Sequence, residues 1–375
     1  MPLPGRPLPG ARVLSYLCLT KEPYCHSGAW KNQYFYQKTD AKFMTHFSPG
    51  LFPWGHERRF NAWTEYCRQT YGGRLQKVSV NAGFSCPNRD GSIGHGGCSF
   101  CNNAGFHPSY CDAASSIHEQ LDTGLSFLQK RYPRSRHFLA YFQAYTNTHA
   151  PLQQLQRLYE EALSHPMIDG LVIGTRPDCV DEARLDYLAR LSEKCLLFLE
   201  LGVESCLDKS LKRVNRGHDF AASVRAIGMA AERGIHTGIH LILGLPGESR
   251  EESLLQVEQI NQLRIQSIKL HQLQIVRDTA MAAEYLKHPE GFQLFSLDEY
   301  VDFLSGFLEY LRPDIKIVRL SGEVSPDWNI VSSWGKIRSD QVVRKLEDKL
   351  RAKDSFQGRL YGKKPLFLPE FKTDL

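Results

Sequence analysis

The sequence of 375 residues predicts an α/β protein built on a parallel barrel, open or closed, and three observations carry that expectation. Short apolar runs recur along the chain, segments of helical periodicity separate them, and the residues with distinctive chemistry follow the runs. Parallel strands need crossovers, and helices supply them, so the alternation implies right-handed β-α-β units. A doubly wound sheet is the alternative. It wants a glycine-rich phosphate turn after the first strand, and cysteines stand there instead.

The predicted strands are Gln76–Val80, Phe138–Phe142, Gly170–Ile173, Leu196–Leu201, Gly238–Leu243 and Ser267–Leu273. Between them Ile117, Leu121, Leu125 and Leu128 fall at helical spacing, as do Leu152, Leu155, Leu158 and Leu163, then Leu185, Leu188 and Leu191. Ser116, Ser249 and Ser296 each precede a glutamate by three residues, which is capping-box spacing. Pro151 and Asp219 suit two further helix starts. Residues 74–320 are assigned to the barrel, 44–73 to a segment packing on it, and 321–375 to a basic C-terminal extension.

Composition narrows the class. At 42% hydrophobic and 23% charged, usage is that of an ordinary globular chain. No run approaches the roughly 18 apolar residues of a spanning helix, so an integral membrane protein is not expected. Ten cysteines are too sparse for a disulfide scaffold, and reduced, catalytic or metal-binding thiols are expected. The formal charge of +5 is unevenly placed: residues 1–43 carry +4, 336–375 carry +5, and the body between carries −4. A nucleic-acid reading therefore rests on the ends. Residues 1–43 read as a disordered leader or an over-called start, with initiation at Met44. The apolar stretch Val13–Leu19 is short for a secretory signal and contains Ser15. No targeting signal then remains, and the cytoplasm is the expected location.

After the first predicted strand come Cys86, Cys98 and Cys101, spaced C-x11-C-x2-C. Gly91, Gly94, Gly96 and Gly97 let the loop fold tightly enough to converge three sulfurs. Three thiolates leave a four-iron cluster one ligand short, and an open coordination position makes a site reactive. A structural zinc with His95 or His107 as fourth ligand is the alternative. Zinc modules build from two close pairs, however, and only Cys98 and Cys101 form one.

With these cysteines the chain resembles the radical S-adenosylmethionine (radical SAM) superfamily, and within it the YhcC-type family related to the radical domain of the elongator catalytic subunit. CPNRDGSIGHGGCSFC, GTRPDC, ELGVES, VNRGHD and HLILGLPGE carry the resemblance, over roughly residues 55–345. The cysteine spacing departs from the commonest form, C-x3-C-x2-C, and its longer first gap matches the elongator-like branch. The resemblance implies a partial (β/α)6 TIM-like barrel with N- and C-terminal extensions. It implies a 4Fe–4S cluster on Cys86, Cys98 and Cys101, with the amino and carboxylate groups of SAM on the unique iron. It further implies a one-electron reductant such as flavodoxin or ferredoxin, and a 5′-deoxyadenosyl radical that abstracts hydrogen from substrate.

The same resemblance places Phe100 beside the adenine. The superfamily's Gly-Gly-Glu is absent after the second strand, where Gln143, Tyr145, Thr146 or Asn147 offer acceptor oxygens. Thr175 and Asp178 present oxygens toward the site or cap the helix beginning near Asp181. Alternation puts Glu200, Gly202 and Glu204 on one face. The resemblance sets Glu200 or Glu204 near the SAM ribose or ammonium and Arg216 near its carboxylate, with a buried ion pair to Arg216 as the plain alternative. The turn at Gly244 lets backbone approach the adenine edge. His240 reads as a core residue, while His271 and Gln272 lie on the substrate side by position.

The elongator-like branch and the basic tail suggest a nucleobase in transfer RNA as substrate, with a small metabolite or protein side chain as other classes. A second cysteine triplet is absent, which disfavours sulfur insertion. A zinc-stabilised RNA-binding module is the rival, supported by Phe356, Tyr361, Phe367 and Phe371 among the tail's basic residues. Solvated faces around a helix over Gln341–Lys353 explain that pattern more simply.

Overall fold

Each of the six predicted runs forms a strand, and a seventh joins them. The computed structural model describes residues 50–365 apart from 106, 107, 326, 332, 333 and 336. The expected leader, His107, Phe367 and Phe371 lie outside the described residues. The strands are β1 (Leu75–Val80), β2 (His137–Phe142), β3 (Gly170–Thr175), β4 (Leu196–Glu204), β5 (His236–Leu243), β6 (Ser267–Gln272) and β7 (Lys316–Arg319). They pair in parallel and in chain order from β1 to β7, giving a half-barrel. Strand β7 is only four residues long, with Ile317 buried between the less buried Lys316 and Val318. Such one-sided alternation suits an edge strand, but it is too short to stand out as an apolar run.

Helices cover the outer face. Ahead of β1 lies α1 (Trp63–Tyr71); α2 (Ile117–Arg131), α3 (Leu152–Leu163) and α4 (Glu182–Ser192) follow the first three strands. Next come α5 (Asp208–Arg213) and α6 (Phe220–Glu232) after β4, and α7 (Arg250–Gln262) after β5. The remainder are α8 (Ala280–Lys287), α9 (Leu297–Tyr310) and α10 (Ser339–Ala352). All three capping boxes form, at Ser116, Ser249 and Ser296, and Asp219 accepts from the Ala222 amide at 2.8 Å. Helices α2 and α4 bury the expected leucines. In α3 the buried stripe is Leu155, Tyr159 and Ala162, while Leu152, Leu158 and Leu163 are only partly buried. Each fully buried leucine contributes roughly 1.5–3 kcal/mol by leaving water.

The N-terminal end of the barrel is plugged. Leu139, Val172 and Phe198 pack with Trp63 of α1, whose ring lies 5.3 Å from Phe198 and 5.4 Å from His236. Because α1 touches both edge strands, β1 and β7, it closes the floor that the open sheet leaves uncovered. The interior is therefore accessible from the C-terminal end of the strands. Beyond β7, α10 packs on α9 through Val342, Leu346 and Leu350. Lys345 and Lys349 of α10 pair with Asp298 and Asp302 of α9. The Phe356 ring lies 5.2 Å from that of Phe52. Among the described residues no helix is long and apolar enough to cross a membrane.

Candidate active site

The loop leaving β1 is folded by its own backbone. Gly97 donates its amide to Asn88 at 2.7 Å, and Ser99 donates to Val214 at 2.9 Å. Asn215 answers from the facing turn, its amide group donating to the Gly97 carbonyl at 2.8 Å. Gly97 needs its positive φ of 80° and its missing side chain, because a Cβ there would sit 2.8 Å from Arg89 Nε. Arg89 in turn donates to the Cys101 carbonyl at 2.7 Å.

This folding brings Cys86, Cys98 and Cys101 to the wall of one cavity at the C-terminal end of the strands. All three are free thiols, and Cys98 is buried. Asn88 Nδ2 lies 3.8 Å and Arg216 Nη1 3.5 Å from Cys98 Sγ. Burial, and then its neighbours Cys98 and Cys86, push the Cys101 thiol up to about 11. Among the described residues no three His, Cys, Asp or Glu groups are set closely enough for a single metal ion. His95 is exposed and pairs through its backbone with Asp90. The donor set, thiols spread along one wall with N–H groups aimed at a sulfur, fits a multi-iron cluster better than one tetrahedral ion.

The same cavity is lined by Phe100, Gln143, Tyr145, Thr146, Thr175, Glu200, Gly202 and Glu204, and by Arg216, His240, His271 and Gln272. Phe100 and Ile242 pack on the apolar cluster that contains Leu273, and all three line the cavity, which makes that stretch of wall apolar. Gln143 Oε1 lies 3.5 Å from Ser79 Oγ. Tyr145 is 40% exposed at the mouth and holds φ of 60°, a backbone conformation a bulky residue adopts only under constraint. Thr175 shares a 2.6 Å hydrogen bond with Thr148. Asn147 instead turns into the fold, donating to the Phe142 and Gly174 carbonyls.

Two more expected residues stand back from the cavity. Asp178 neither lines it nor caps a helix: it holds Arg176 by two bonds of 2.9 and 2.8 Å, and Asp181 caps α4. Arg176 does line the cavity, with its Nη1 buried and unpartnered. Gly244, at φ of 85°, lies beside the Phe295 ring and makes the turn toward α7.

Strand β4 sets the charges. A bulge between Gly202 and Glu204, with Glu204 at φ of 68°, brings the Glu204 carboxylate within 3.6 Å of Arg216. A Cβ on Gly202 would meet Glu204 Oε1 at 2.5 Å and Arg216 Nη2 at 2.7 Å, so only glycine leaves this cradle open. Burial holds the Glu204 carboxyl above its ordinary value, with Arg216 and Arg176 opposing. Arg216 Nε is buried and unpartnered. Thus the ion pair foreseen as the plain alternative forms at Glu204.

Glu200 sits deeper and differs. Its oxygens lie 2.5 Å from Lys77 Nζ and 2.5 Å from Lys269 Nζ, and 3.2 Å from His240 Nε2. Burial alone pushes this carboxyl up, but Lys269 and Lys77 hold it well below the ordinary range. Both lysines also sit about 5 Å from the Tyr141 ring centroid. Lys77, Tyr141, Lys269, Arg176 and Arg319 also line or border this cavity, and no sequence motif marks them as site residues. Each is a single polar residue within an apolar run or a turn, and strand alternation alone marked their inward faces.

A half-barrel with its chemistry at the C-terminal ends of the strands, and three thiols on the first loop, defines an α/β-barrel enzyme. The chain belongs to the radical SAM superfamily: residues 88–256 match that family and residues 265–351 match its C-terminal domain. It is 38% identical over 276 residues to protein YhcC of Escherichia coli (strain K12), covering 73% of this chain and 86% of that protein. It is also similar, at 24% over 201 residues, to tRNA uridine(34) acetyltransferase of Methanocaldococcus infernus, covering 53% of this chain and 36% of that enzyme. Among solved structures, the archaeal Methanocaldococcus infernus Elp3 with an N-terminal deletion superposes with a TM-score of 0.57 at 15% identity. That match covers 76% of this chain and 64% of that one, and shows the fold.

Proposed function

We propose that this enzyme holds a 4Fe–4S cluster on Cys86, Cys98 and Cys101 and binds SAM beside it. With both bound, the cluster would supply one electron for reductive cleavage of the SAM C–S bond to methionine and a 5′-deoxyadenosyl radical, which would take hydrogen from substrate. The chain's own residues bind and orient. Arg216, held by Glu204 and donating toward Cys98 Sγ, stabilises thiolate charge, and its unpartnered Nε offers a donor to the SAM carboxylate. Arg176 Nη1 offers a second. Phe100, Ile242 and Leu273 give an apolar wall for the adenine. Gln143, Thr175 and the Glu204 carboxylate offer acceptors to ammonium and ribose. The single observation that carries this reading is the convergence of three free thiols and two buried, unpartnered guanidinium nitrogens on one cavity.

A one-electron donor such as flavodoxin or ferredoxin completes the cycle, and the reduced thiols suit the cytoplasm. Similarity to the transfer-RNA acetyltransferase supports a nucleobase in transfer RNA as substrate. Protein purified without air tests the proposal. It should carry iron and acid-labile sulfide and, with dithionite and SAM, release 5′-deoxyadenosine, and both should disappear in Cys98→Ala. Bound zinc without sulfide, or intact SAM over a fully loaded cluster, contradicts it.

A further inference from the structure

Most cations that line the cavity have partners of their own. At the cysteine end, Asp178 holds Arg176 and Glu204 faces Arg216. Toward β6 and β7, Lys77 and Lys269 share one carboxylate, Glu200, with burial lowering Lys269 and Glu200 opposing it, while the exposed Arg319 has none. Arg319 stands opposite Lys269 in the β6–β7 register. Its side chain lines the cavity, is exposed, and has no hydrogen bond or ion pair among the described residues. His240 and His271 do little to change the sum. Burial first, then Lys269 for His240 and Arg319 for His271, holds both below their ordinary value and so neutral near pH 7. His271 lines the same cavity with Nε2 buried and unpartnered.

Positive charge along a cleft with low-dielectric walls focuses its field and concentrates an anion there. A guanidinium beside an ammonium suits a carboxylate or phosphate, the first through paired N–H groups and the second as a point charge. We infer that Arg319, Lys269 and His271 form a subsite for an anionic group of the substrate, a carboxylate or a phosphate. The inference rests on the radical SAM reading only in calling the ligand a substrate; the anion site itself rests on the cavity wall. The Arg216 donor already serves the SAM carboxylate in that reading, which leaves this second cationic set for another molecule. The anchored group then lies on the β6–β7 side, and the rest of the substrate extends toward the cysteines.

Equilibrium dialysis of inorganic phosphate and of succinate, at fixed ionic strength, against cluster-loaded protein saturated with SAM tests the subsite. Wild type should bind at least one of the two anions saturably, and Arg319→Gln and Lys269→Met should each weaken it at least tenfold. Arg157→Gln, an exposed position on α3, should leave it unchanged, as should SAM affinity in Arg319→Gln. Because Arg319 has no partner to lose, its variant reads the site even where Lys269→Met fails to fold. Absence of saturable anion binding overturns the inference, as does binding unaltered by Arg319→Gln. Loss of SAM rather than anion binding in that variant also overturns it, since the cations then serve SAM. The same dialysis on iron-free protein without SAM separates the two claims: anion binding that still depends on Arg319 upholds the subsite even if no cluster is found.

Discussion

The two ends of the cavity are built differently. The cysteine end comes largely from neighbouring residues on one loop, Cys86 to Cys101, pinned by a facing turn at Val214–Arg216. The deeper end is assembled from strands far apart in the chain, with Lys77 on β1, Glu200 on β4 and Lys269 on β6. Gly202 and Glu200, two residues apart on β4, belong to opposite ends. The first keeps space open for a ligand, whereas the second holds buried charges together. Local construction leaves space open for a ligand; distributed construction ties the Glu200 carboxylate and its lysines into the fold and leaves the Arg319 side chain beside them without a partner.

That contrast can be broken by substitution. Glu200→Leu should have the largest effect on stability, about 3–5 kcal/mol, because it leaves Lys269 buried and Lys77 half-buried without their carboxylate; anaerobic urea unfolding measures it. Gly202→Ala should act the other way. Its Cβ intrudes on Glu204 and Arg216, so SAM affinity should fall at least tenfold, about 1.4 kcal/mol, while bound iron is retained. Equal losses of stability in the two variants would erase the distinction.

Acid sharpens it further. His240 is held down to about 4 by burial first and then by Lys269. Between that value and the ordinary 6.5 the unfolded chain binds the proton and the folded one does not, so this group's contribution to stability declines as pH falls through the window. Glu200, depressed in the folded state, keeps its contribution above the ordinary carboxylate value and loses it only on further acidification. In His240→Gln the pH slope of unfolding free energy between 6.5 and 4 should shrink by the equivalent of about one proton at most. An unchanged slope would remove His240 from the account. The smallest effect is expected at Ser249→Ala, which deletes the α7 cap at about 0.5–2 kcal/mol, with SAM affinity untouched.

Local signals were legible in the sequence and distributed ones were not. The C-x11-C-x2-C loop, the three capping boxes and the six long strands are written in contiguous residues, and the structure places the three thiols on one wall. The short edge strand β7 escaped because four alternating residues make no apolar run. Lys77 and Lys269 escaped because a lone lysine in a strand announces its face but not its partner. Glu200, expected near a ribose or ammonium, is engaged by those lysines instead. The sequence sets Asp178 facing the site or capping a helix, and its pairing with Arg176, only two residues away, depends on a turn geometry that residue order does not specify.

The central claim is that three thiols grip an iron–sulfur cluster whose remaining corner is open to SAM. Electron paramagnetic resonance of the dithionite-reduced protein, recorded with and without SAM, tests it most directly. A reduced four-iron signal that changes its g-values when SAM is added, and is absent from Cys98→Ala, is the predicted result. A four-iron signal indifferent to saturating SAM would contradict the account.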